Sequence, residues 1–138
     1  MTDTHMQHVE HIIWHGQPLA YIIRAEIAPE KTTFLTEDGF KQQVGFVVYP
    51  RGAEIARHVH RPLQRHIVGT SEVLVVKKGR CEIDVYNDAR ELVATRELRQ
   101  GDVMLMIGGG HGFRMLEDTI LLEVKQGPYT GVDEKERF

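Results

Sequence analysis

The stretch GAEIARHVHRPLQRHIVGTSEVLVVKKG, residues 52–79, decides how this chain is read. Its fixed points are Gly52, His58, His60, Glu72 and Gly79. His58 and His60 are separated by one residue, so on a strand both imidazoles point to one face, because strand side chains alternate. Glu72 follows His60 after a spacer of eleven residues, and Gly79 follows Glu72 after six more. Further along, His111 stands in the run Gly108-Gly109-Gly110-His111-Gly112. Two imidazoles on one face, joined by a carboxylate and a third imidazole from other strands, make a donor set with first-row transition-metal preferences. Glycines at the ends of such strands suit tight turns that need positive φ.

The bulk properties set the frame around that stretch. A chain of 138 residues is the length of one ordinary domain. With 41% hydrophobic and 27% charged residues it is globular in composition. The net charge of -3 lacks the basic surplus of a nucleic-acid binder. The opening MTDTHMQHVE has no apolar signal core, and no apolar run is long enough to span a bilayer. The single cysteine, Cys81, excludes an internal disulfide. The expectation is a soluble cytoplasmic protein with no membrane or nucleic-acid partner.

Read in order, the chain is a succession of short apolar runs punctuated by turn residues. Residues 1–10 are polar and expected to fray. His5, His8, His11 and His15 have helical spacing, but a His-rich end without fixed geometry is the simpler reading. His15-Gly16-Gln17-Pro18 is a turn signal. Strands are predicted over residues 19–27, 32–35 and 43–49, and a further run over 53–60 ends in the paired histidines. Residues 61–70 are predicted to be a loop. Strands then follow over 71–76, 81–86, 92–98, 103–107, 113–116 and 119–125, and a polar tail over 129–138. No helical periodicity, repeat or linker interrupts this. The expected class is all-β, a sandwich or barrel in one domain, residues 1–138, with its core at about 40–127 and N-terminal strands at 19–36.

Residues 52–79 resemble the first sequence motif of the cupin superfamily, matching it at Gly52, His58, His60, Glu72 and Gly79. The spacer of eleven residues is longer than the three or four usual in that family. The second motif is degraded: Gly101, Gly108 and His111 fit with one residue removed, while Met106 and Met115 replace its proline and asparagine. The resemblance covers about residues 40–127. It implies an antiparallel double-stranded β-helix, the jelly-roll or cupin barrel, holding one divalent metal on His58, His60, Glu72 and His111. That donor set suits iron, manganese, nickel, cobalt or zinc. The resemblance also implies a homodimer, with strands at 19–35 as the contact.

Other residues carry weaker signals. Arg61, Gln64, Arg65 and His66 in the long spacer form either a basic lid that clamps an anionic substrate or a solvated loop. Arg114 after the glycine run has the same two readings. Glu123 and Lys125 share a face of the last strand. Because Leu122 and Val124 are expected on the core side, the acid–base pair is assigned to the exposed face. Cys81 alternates with Ile83 and Val85 and reads as a buried small hydrophobe. Tyr129 either closes a pocket or lies in an exposed turn, and Trp14 and Tyr86 read as packing residues.

Two functions follow. One is a metal-dependent enzyme, such as a sugar isomerase or epimerase or a dioxygenase, acting on a small polar or anionic metabolite. The other is a non-catalytic module that binds a small molecule or keeps its metal for structure. An open coordination position separates them.

Overall fold

The computed structural model describes residues 7–131 and 134–138. They form ten strands and no α-helix. The strands are β1 (Val9–Trp14), β2 (Gln17–Ile23), β3 (Thr33–Phe34), β4 (Gly45–Phe46), β5 (Glu72–Lys78), β6 (Arg80–Tyr86), β7 (Leu92–Arg99), β8 (Val103–Met106), β9 (Gly110–Met115) and β10 (Ile120–Lys125). Every pairing is antiparallel. No helix is long and apolar enough to cross a membrane. The chain divides into two compact units, Met1–Ile27 with Thr70–Phe138, and Ala28–Gly69.

The first unit packs a five-stranded sheet, ordered β1-β2-β8-β5-β10, against a three-stranded sheet, ordered β7-β6-β9. Alternation decides the facing residues. Ala20, Ile22, Leu74, Val76, Met104 and Met106 from the large sheet meet Cys81, Ile83, Val85 and Leu98 from the small one. These side chains are almost fully buried, and their removal from water is the main stabilising term at about 25 cal/mol per Å² of apolar surface. Cys81 is in this core, where burial pushes its thiol pKa up. A register shift at Ile12/Ile13 leaves Leu19 without a cross-strand partner. This bulge lets both Leu19 and Ala20 enter the core. The β1–β2 turn is made by His15 and Gly16 at φ of 46° and 80°, as a two-residue hairpin with right-handed strand twist requires. No ladder joins the two sheets among the described residues, so the strands do not close into one hydrogen-bonded barrel.

The second unit contains the β3–β4 pair. The turn between them is fastened by side chains: Thr36 donates its hydroxyl to Gln43 Oε1 at 2.8 Å, and the Gln43 amide donates to Glu37 O and Phe40 O at 2.9 and 3.1 Å. The strand expected over 43–49 is only two residues long, and the run predicted over 53–60 has no strand at all. Residues 53–68 are exposed and without regular structure. Pro62 has no N–H for a ladder, and the charged and polar residues at 54, 57, 58, 60, 61, 64 and 65 offer little apolar surface for a sheet to bury.

The remaining strands fall within a few residues of the predicted ones, except β1 (Val9–Trp14), which precedes the first predicted strand. Of the histidines near the start, His11 stacks on Tyr21 at 4.0 Å and His15 on Trp14 at 4.4 Å, while His5 lies outside the described residues. The fraying expected over 1–10 concerns mostly undescribed residues, and β1 already begins at Val9.

Candidate functional site

The two sheets of the first unit leave a cleft of about 800 Å³ where β9 and β10 form their neighbouring edges. Register determines what lines it. On the inner face of the large sheet, Lys125 stands opposite Glu72, Glu123 opposite Leu74, and Leu121 opposite Val76. Glu72 is in turn opposite Met106. On the inner face of the small sheet, His111 stands opposite Val85 and Phe113 opposite Ile83. Glu72, Glu123, Lys125 and His111 therefore share the cleft with Leu74, Met106, Phe113 and Leu121, Met106 lying beside Glu72 and Leu74 beside Glu123.

Glu72 and His111, far apart in sequence, meet here. His111 Nε2 lies 3.7 Å from Glu72 Oε2, with side-chain exposures of 32% and 13%. Burial raises the Glu72 pKa, and the charge and hydrogen bonding of Glu123 beside it add to the rise, against the opposing charges of Lys125 and Lys135. Burial lowers the His111 pKa and Lys135 lowers it further, while Glu123 pulls it up. A neutral imidazole and a crowded pair of carboxyl groups thus share the cleft.

Glycines bring the backbone into place around His111. At Gly109, φ is 67° and an added Cβ would collide with the Tyr86 carbonyl oxygen. The strand after it can therefore lie close to β6 and present His111 inward. The motif glycines Gly52, Gly79 and Gly101 all have positive φ, at 87°, 93° and 91°.

His58 and His60 belong to the second unit, with ring centroids 5.3 Å apart at an interplanar angle of 69°. His58 Nδ1 is 2.7 Å from the Ala56 carbonyl oxygen. As a donor in that bond it leaves the Nε2 lone pair available to a metal. Among the described residues, no group of three or more His, Cys, Asp or Glu side chains is arranged to hold a metal ion.

The other sequence-derived candidates are distributed differently. Arg61, Gln64, Arg65 and His66 are exposed in the unstructured stretch of the second unit. Arg114 is on the outer face of the small sheet, where it donates to Asp84 Oδ2 at 2.7 Å and to Glu82. Those carboxylates hold Arg114 away from the cleft, and Arg114 in turn lowers the Asp84 pKa. Tyr129 is 84% exposed.

The core-side placement of Leu122 and Val124 is corrected: they are 54% and 50% exposed. Glu123 and Lys125 are exposed as expected, on the face that lines the cleft. β10 is an edge strand, and its inner face borders the cleft instead of the core. The usual rule that the apolar side faces inward is therefore reversed there. Residues 134–138 also line the cleft, which their polarity alone did not reveal. Comparison with known proteins finds no matching family model, no matching curated protein and no matching solved structure.

Proposed function

We propose that this chain is a cupin-like jelly-roll protein whose cleft binds a divalent metal and a small polar or anionic metabolite, and that it is a metal-dependent enzyme of the isomerase or oxygenase kind. The observation that carries the reading is the 3.7 Å approach of His111 to Glu72 in the cleft. Motif spacing in the sequence singles out the same two residues. A volume of about 800 Å³ suits a small metabolite.

The donors fit a metal in their chemistry. His111 is held neutral, the protonation state a metal ligand needs. The Glu72–Glu123 crowding is the kind of charge imbalance a cation relieves. Glu72 and His111 of the first unit would hold the ion. A bound ion of iron, manganese, nickel, cobalt or zinc would supply Lewis acidity, and iron would add oxygen chemistry. The chain's own residues supply the rest. Met106, Leu121 and Phe113 exclude water from one wall, and Glu123 accepts hydrogen bonds from ligand hydroxyls.

The test is metal analysis of protein purified without added metal, repeated on His111→Ala, Glu72→Gln and His58→Ala. About one equivalent in the wild type and loss in His111→Ala and Glu72→Gln is the expected result. Full metal content in both variants overturns the reading. The His58→Ala protein tests the motif's other half in the same way. Metal retained with no open position for added ligand would favour the non-catalytic module. Light scattering tests the homodimer.

A further inference from the structure

We propose that residues 134–138 form part of the cleft's binding surface, and that Lys135, together with Lys125, holds the anionic group of a small hydroxylated acid or phosphate monoester. This deepens the reading of the cleft as a ligand site, and its test does not need the metal.

The segment is fastened to the first unit at alternate residues. Glu134 Oε2 accepts from the Thr70 hydroxyl at 3.2 Å. Glu136 pairs with Arg90 at 2.9 Å. The Phe138 ring meets Tyr86 edge-on at 5.1 Å, with the Arg90 guanidinium 5.2 Å from its centroid. It also lies against Gly110, where an added Cβ would come within 3.0 Å of the ring. Three even-numbered residues therefore tie the segment to the rim.

Lys135 lies between two of these ties and lines the same cleft as Glu72 and His111. Lys125 stands opposite Glu72 in the β5–β10 register. The cleft thus combines two carboxyl groups, which accept from hydroxyls, with two ammonium groups, which hold a carboxylate or phosphate as point charges. The apolar wall of Phe113 and Leu121 takes the C–H face of the same molecule. The sequence left Arg61, Gln64, Arg65 and His66 as either an anion clamp or a solvated loop. The geometry points instead to lysines of the first unit, one of them carried in by the segment.

Gluconate, glucose 6-phosphate and glucose serve as probes, with binding read by saturable amide shifts in ¹H–¹⁵N spectra at constant ionic strength. At least one of the two anions is expected to bind and glucose is not. The better anion tells a carboxylate site from a phosphate site. Lys135→Met is expected to weaken that anion about tenfold, Lys135→Arg to restore most of the affinity, and Arg61→Ala/Arg65→Ala to bind as wild type. Equal affinity in Lys135→Met, loss in the double arginine variant, or no binding of either anion by the wild type overturns the proposal. Metal content measured on the same samples reports separately on the metal reading. Lys135-dependent anion binding by a metal-free wild type leaves this inference standing and removes the other.

Discussion

Arg96 on the inner face of β7 clasps Glu10 of β1 across the two sheets, Nε at 2.9 Å from Oε1 and Nη2 at 2.7 Å from Oε2. This pair fastens the edge of the sandwich formed by β1 and β7. The opposite edge, formed by β9 and β10, has no such clasp among the described residues and holds the cleft. The polar groups that line the cleft therefore lie at one side of the sandwich and the Glu10–Arg96 pair at the other.

That clasp gives a pH prediction. Hydrogen bonding to Arg96 holds the Glu10 pKa below its ordinary value of 4.5. A carboxyl group depressed in the folded state stabilises fully above its unfolded pKa, and the contribution is lost as pH falls through the folded value. Both side chains are more than a third exposed, so solvent screening limits the effect to about 1 kcal/mol. Glu10→Gln should lower stability in urea by about that amount at pH 7 and by progressively less below pH 4. A difference independent of pH would refute the linkage.

Asp102 is a stronger structural anchor. It is buried and accepts from Arg24 Nη1 at 3.0 Å and from the backbone N–H groups of Ala25 at 2.9 Å and Arg99 at 2.8 Å. Asp102→Ala leaves all three donors without this acceptor and should cost about 3 kcal/mol, read as a lower denaturation midpoint. Asp102→Asn retains acceptor capacity and should cost less. Near-equal stability of Asp102→Ala and wild type would show that water replaces the carboxylate.

Gly79 and Gly112 make a matched pair. Gly79 has φ of 93° and its added Cβ would run into the Asp118 carbonyl oxygen, whereas a Cβ at Gly112 meets nothing within 4 Å. Gly79→Ala should destabilise by roughly 2 kcal/mol, and Gly112→Ala by much less. Thermal melting of the two variants checks the ranking.

The cleft is expected to cost stability when empty. Glu123 crowds Glu72, and like charges on neighbouring strands destabilise by up to about 1 kcal/mol. In the presence of chelator at neutral pH, Glu123→Gln should melt a few degrees higher than the wild type. A lower melting temperature would mean that the pair is held together by a shared proton or by Lys125.

Much of the first unit was legible because alternation is a local property. Cys81, Ile83 and Val85 announce an inward face, and the structure buries all three. The run over 53–60 forms no strand because, although Ile55 and Val59 are β-branched, no partner ladder forms there. Leu122 and Val124 do not take the core side expected of them because sequence shows which residues share a face, not what that face meets. Arg114 looked available until the carboxylates of Glu82 and Asp84 were found beside it.

The sequence by itself determined the all-β class, the antiparallel strands of the first unit, the turn glycines and the choice of Glu72 and His111 as residues to watch. Those follow from period-two alternation, positive-φ requirements and motif spacing, all of which act over a few neighbouring positions. Only the tertiary structure decided that Glu72 and His111 face each other, that Glu123 and Lys125 join them, and that residues 134–138 line the same cleft. Each depends on sheet order and on which edge of the sandwich is open, and these are set by pairings between residues tens of positions apart.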